Sequence, residues 1–197
     1  MEYRACLVSK PIWYAETKIT AKYLCQGYDK DSLRKIVIDD NIYETHAEYR
    51  AIEILNTVTL RLSRLPKELI SEIAFGDVVQ SKILVLISVL MSDRLFFEFM
   101  YDVFQDKITI GDLIISNRDL DDFFENKKHQ SEAVEKWTPR TIQKLRQAYM
   151  RILCDTNLIS SSVPPRKITV PLISPENVNI LKANHLDAYL LAIGVDS

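Results

Sequence analysis

The stretch DVVQSKILVLISVLMSDRLFFEFMYDVFQ, residues 77–105, decides the fold. Asp77 is a candidate N-cap, and the residues after it are apolar around most of a helical circumference, the pattern of a helix at the centre of a bundle. Its second half adds Phe96, Phe97, Phe99, Tyr101 and Phe104, a block expected to pack the core. The longest apolar run, Ile83–Met91, is interrupted by Ser88 and closed by Lys82 and Ser92–Asp93–Arg94. Such a run rises only about 14 Å as a helix, less than half of a bilayer core. A cytoplasmic protein that makes no membrane contact is therefore expected.

Working outward, Ala47, Ala51, Ile54, Leu55, Val58, Leu62 and Leu65 recur at helical spacing between Glu44 and the stop at Pro66. Lys67–Phe75 reads as a short helix ended at Gly76. Two earlier helices are expected at Thr17–Tyr23 and Ser32–Ile38, the second capped by Ser32. Downstream, Ser116–Asn117 caps a helix through Phe124, and Asn126–Glu135 is polar enough for a flexible linker. Thr138 followed by Pro139 is the clearest start signal in the chain, opening a helix to Asp155 with Asn157 at C′. Arg166–Ile173 is β-branched and reads as a strand that Pro171 confines to an edge. A last helix starts after Ser174–Pro175 and breaks near Asn184. The expected fold is all-α, a compact multi-helix bundle with at most one short β-hairpin or wing near the C-terminus. Two parts are expected: residues 1–126 as an N-terminal and central bundle, and residues 127–197 as a C-terminal subdomain with a basic helix (139–155) and a short strand (166–173).

Composition narrows the function. Only four glycines occur in 197 residues, where average usage gives about 14. They are widely separated, so no phosphate-cradling loop is present. Cys6, Cys25 and Cys154 form no CxxC pair and suggest buried thiols in a reducing compartment. His46, His129 and His185 are isolated, and no zinc spacing or GxSxG elbow occurs. No cofactor, metal or small-molecule substrate is expected, and the chain does not read as an enzyme. One nuclease-like string exists, Asp112 with Glu125-x-Lys127, but its last two members fall where a helix is ending rather than on adjacent strands.

Charge is more informative by place than in total. The 25 Lys+Arg and 27 Asp+Glu give a net charge of −2. On a helical wheel, Ile142, Leu145, Tyr149, Ile152 and Leu153 share an arc of roughly 100°, while Arg140, Lys144, Gln147 and Arg151 lie within roughly 60° on the other side. With Arg146, Pro139–Arg151 carries four cations and no acid. Between Arg50 and Lys67, Arg50, Arg61, Arg64 and Lys67 face a single Glu53. These segments sum to +7, which leaves −9 for the remainder. Arg140, Lys144, Arg146, Gln147 and Arg151 are candidate double-stranded DNA contacts, with Arg50, Arg61 and Arg64 as a second set. A capped helix, the basic helix and the RKITVPLI strand also resemble a winged-helix unit, although the Asn126–Lys136 connection is long for one.

Larger stretches carry a family resemblance. RLSRLPKELISEIAFGD (61–77), QSKILVLISVLMSDRLFFEFMYDVF (80–104) and KWTPRTIQKLRQAYMRILCDTNLIS (136–160) resemble the BrxA family of bacterial BREX phage-exclusion systems. PIWYAETKITAKYLCQGYD (11–29), with Trp13 and Glu16–Thr17, fits the same family. The resemblance implies a helical fold like that of the antitermination factor NusB, double-stranded DNA binding, and a role in phage defence without known catalysis. It brings other BREX operon proteins in as candidate partners and fixes no site residues. The alternatives are a protein–protein adaptor for larger defence enzymes, an RNA-binding protein, and a metal-dependent nuclease.

Overall fold

The computed structural model describes residues 2–195. The chain forms two units, Ile12–Val89 and Met1–Pro11 with Leu90–Ser197. The expected 126/127 division falls inside a helix of the second unit.

In the first unit, α1 (Tyr14–Cys25) packs on α3 (Glu48–Leu62) and α4 (Lys67–Phe75), and α2 (Lys30–Asp39) packs on α3. The core gathers Leu33, Val37, Tyr43, Ala51, Ile54, Leu55 and Val58 with Trp13, so the apolar stripe read from sequence on α3 is the stripe it buries. α2 starts before the expected Ser32, because the Asp29 carboxylate caps it by accepting from Ser32 N. α3 starts at Glu48 rather than Glu44. The preceding loop holds Asn41 and Glu44 at positive φ, and Asn41 accepts from Thr45 N, a local turn that competes with helix. α4 matches its expected span. α5 (Val78–Leu90) is capped by Asp77 and is buried all round from Ile83 to Leu90.

The single helix expected over 77–105 is broken. Asp93 adopts extended backbone and its carboxylate accepts from Phe96 N, a new N-cap inside an apolar run. It opens α6 (Arg94–Phe99), which continues through a π-helical segment (Met100–Gln105) into α7 (Asp106–Ile110). Of the aromatic block expected in the core, Phe96, Phe99 and Phe104 are buried, Phe97 is half-buried and Tyr101 faces solvent. Phe96, Phe99, Phe123, Phe124 and Tyr149 interlock at centroid distances of 4.5–5.9 Å.

A capping box between Ser116 and Asp119 starts α8 (Asn117–Gln130), which runs past the expected end at Phe124. α9 (Glu132–Glu135) comes next, and its Val134 is buried. Asn126–Glu135 is thus largely helical rather than a flexible linker. α10 (Pro139–Asp155) has the expected Thr138 cap, donated to by Thr141 N, and Pro139 at its first position. The strand expected over 166–173 shrinks to β2 (Arg166–Lys167). It pairs antiparallel with β1 (Ile114–Ile115), and Ile168 bridges to Ile159. α11 (Pro175–Ala183) and α12 (Asp187–Ala192) are separated near Asn184, as expected, with His185 at positive φ. The fold is all-α apart from this small antiparallel pair. No helix among the described residues is long and apolar enough to cross a membrane.

Candidate nucleic-acid interface

α10 buries Ile142, Leu145, Tyr149, Ile152 and Leu153, and this fixes where its other side points. Arg140, Lys144, Gln147 and Arg151 are all exposed on that other side. Gln143, not singled out from sequence, is exposed as well. Arg151 has a loose neighbour in Asp155 at 3.9 Å. Arg140 and Arg151 are eleven residues apart, about 16 Å along the axis.

Arg146 departs from this face. Its Nη1 lies 2.6 Å from the Asp121 carboxylate, and Nη2 donates to the Asn117 carbonyl at 3.1 Å. Arg146 therefore ties α10 to the start of α8. Arg166 approaches the same region, where it donates to Asn117 Oδ1 at 3.0 Å. Burial, then the Arg146 charge, pulls the Arg166 guanidinium below its ordinary value.

The second candidate set fares differently. Arg61 is only 3% exposed; it donates to the Ile12 carbonyl at 3.2 Å and stacks over Trp13. Its expected role as a DNA contact is corrected to a structural one, because a buried guanidinium cannot reach a duplex. The Arg50 guanidinium lies 4.9 Å from the Trp13 ring centroid and pairs with Glu53 at 2.6 Å. Arg64 is half-buried near the end of α3. Trp13 sits at φ 48 just before α1 and packs against both guanidinium groups.

The nuclease-like string does not assemble. Asp112 pairs with Lys107, and Glu125 pairs with Lys128 on its own helix. Lys127 turns inward to Glu98 at 2.6 Å and Asp102 at 2.9 Å. No cluster of His, Cys, Asp and Glu suited to a metal ion occurs among the described residues. Nor are the thiols all buried as expected: Cys6 and Cys25 are exposed and Cys154 is intermediate, all three free.

The Lys127 group is the main electrostatic feature that sequence reading missed. Glu98 accepts from Lys127, from Tyr3 OH at 2.7 Å and from Arg94 Nε at 2.7 Å. Burial alone raises a carboxyl, but these three donors outweigh it and hold Glu98 below the usual carboxylate range. Burial likewise lowers an ammonium, and Glu98 and Asp102 reverse that and raise Lys127. Arg94, Glu98 and Asp102 follow one another at i, i+4 spacing, but Tyr3 and Lys127 join them from distant parts of the chain, and no sequence signal marks that meeting.

The fold and its exposed helix face define a class: a helical protein presenting cations along a solvent-facing helix stripe. A model of the BrxA family matches residues 1–185, and the chain belongs to that family, a component of BREX phage defence. It is 36% identical over 181 residues to the BREX protein BrxA of Bacillus cereus (strain H3081.97), covering 92% of this chain and 90% of the relative. A crystal structure of an uncharacterized protein from Magnetospirillum magneticum superposes with a TM-score of 0.84 over the full length of both chains, at 20% identity. That likeness establishes the fold.

Proposed function

We propose that this BREX component is a non-enzymatic, cytoplasmic double-stranded DNA-binding protein that acts mainly through phosphate contacts, on a bundle of NusB-like type. The observation that carries the reading is the α10 face. Arg140, Lys144, Gln147 and Arg151 project into solvent from a segment with no acid between Pro139 and Arg151. A solvated helix face ordinarily mixes charge signs, and an acid-free one suits a polyanion. Arg50 and Arg64 remain secondary contacts, and Arg146 acts through the position of α10. Sequence preference is weak, because phosphate contacts position a protein without reading bases.

The test is duplex binding by the charge-reversal variant Arg140→Glu/Lys144→Glu/Arg151→Glu. Affinity falls by at least about a hundredfold and thermal unfolding is unchanged, since all three side chains face water. Wild-type affinity also falls with salt at a log–log slope of about −2.7 or steeper, about −2.7 being the value for the three phosphates that the α10 cations neutralise. A folded triple variant that binds duplex as well as wild type removes α10 as the surface. Competition by structured RNA at equal salt separates a duplex-DNA reader from an RNA binder.

A further inference from the structure

The unit Ile12–Val89 holds an open groove of 890 Å³ between the end of α1, the second half of α3 and the start of α4. α3 is the reason it exists. Beside the stripe it buries, α3 carries a second stripe at helical spacing, Asn56, Thr59, Leu60 and Ser63, that has no charge and lines the groove. Leu60 lies within it at 56% exposure. Leu24 and Ile70 complete the apolar floor.

The charges at the groove have one sign. Lys30 and Lys67 line it, both are exposed, and no carboxylate does so. Each lysine is the first residue of its helix, α2 or α4, where the positive end of the macrodipole disfavours a cation. Asp31 and Glu68 come next in the first turns but do not line the groove. No ion pair among the described residues engages either lysine. Two cations kept at unfavourable positions beside an apolar floor complement an acidic, amphipathic ligand. No strand lies among the described residues of this unit, so an extended peptide has no sheet edge to join here. A helix laid between helices fits the shape.

We infer that this groove docks an amphipathic helix of a partner protein, with apolar anchors at i, i+3/i+4 and i+7 seated around Leu60 and acidic side chains directed at Lys30 and Lys67. The inference does not depend on DNA binding by α10.

Two display libraries of helices about four turns long test it, with the anchor positions varied and the polar face fixed as Glu in one and Lys in the other. Selection against the full chain is expected to enrich binders from the Glu library only. Those binders should lose about tenfold or more in affinity on Leu60→Glu and on Lys30→Glu/Lys67→Glu, while both variants keep the wild-type circular dichroism and duplex affinity. Enrichment from the Lys library or from neither, or binders indifferent to both variants, overturns the inference. So does competition of duplex DNA with the selected helices, which would assign the lysines to the nucleic-acid face. A wild-type dimer in sedimentation equilibrium that Leu60→Glu dissociates overturns it too, by placing a second copy in the groove.

Discussion

α3 and α10 carry the same sequence feature, an apolar stripe with arginines and lysines on the remaining circumference, and the fold uses the two differently. On α10 the cations at Arg140, Lys144 and Arg151 stand in solvent. On α3 the outward arginines meet Trp13, a residue 37 positions before Arg50, with Arg61 buried and Arg50 held between the indole and Glu53. A helical wheel orders side chains around one axis. It carries no information on what another part of the chain lays over the polar side, and an aromatic ring welcomes a guanidinium as readily as water does.

The largest effect that tests this contrast lies around Lys127, a cation held inside. Glu98→Ala removes one of the two carboxylates on Lys127 together with the acceptor of Tyr3 and Arg94, while Asp102 stays on Lys127, and is expected to cost about 3 kcal/mol, read by urea unfolding. The same group predicts a pH dependence. Glu98 is depressed because the Lys127, Tyr3 and Arg94 donors outweigh the upward push of burial. Asp119 is depressed because the Ser116 backbone and hydroxyl, then Lys107, likewise outweigh burial. Carboxyls whose folded values lie below their unfolded ones stabilise the fold fully above about pH 4. That contribution is lost as pH falls through the depressed folded values. The unfolding midpoint should therefore decline below about pH 4, and Glu98→Gln should flatten the decline. An acid limb unchanged in Glu98→Gln refutes the assignment.

Next comes Arg61→Ala, which deletes the Ile12 hydrogen bond and the packing on Trp13. It is expected to destabilise the chain by about 2–3 kcal/mol while the folded fraction keeps its duplex affinity. Loss of duplex binding at full stability would reverse the reading of the two helices. Smaller again is Lys144→Ala, which should leave stability within about 0.5 kcal/mol of wild type and reduce the magnitude of the salt slope by about 0.9, one phosphate contact.

The range of an interaction decides whether it is legible in the sequence. Thr138 and Pro139 mark the start of α10 because a cap and its amide are three residues apart, and Lys67–Phe75 is bounded by Pro66 and Gly76 for the same local reason. The face of α10 is legible because the apolar stripe that orients it is also local. The break before α6 rests on a cap just as local, Asp93 accepting from Phe96 N, but the aromatic residues that follow Ser92–Asp93–Arg94 prolong the apolar pattern and mask it. Residues 126–135 read as solvent-borne charge. Yet Lys127 is 5% exposed, because Glu98 and Asp102 arrive from 25 and more residues upstream. Arg61 is misplaced by the wheel for the same cause. For Lys127 and Arg61 the deciding partners lie tens of residues away in the chain.

Arg146 gives the finest division, since it sits on α10 yet behaves like an arginine of α3. Its guanidinium bridges Asp121 and the Asn117 carbonyl, with a quarter of the side chain exposed. Arg146→Ala should cost about 1 kcal/mol of stability, the worth of a partly exposed charged hydrogen-bond pair. It should also leave the salt slope closer to wild type than Lys144→Ala does, because a cation already neutralised by Asp121 releases few counterions from a duplex. Measuring both variants across a salt series compares two cations two residues apart on one helix, one engaged and one free. Equal slopes would mean that Asp121 yields Arg146 to the duplex, and the free face of α10 would then include it.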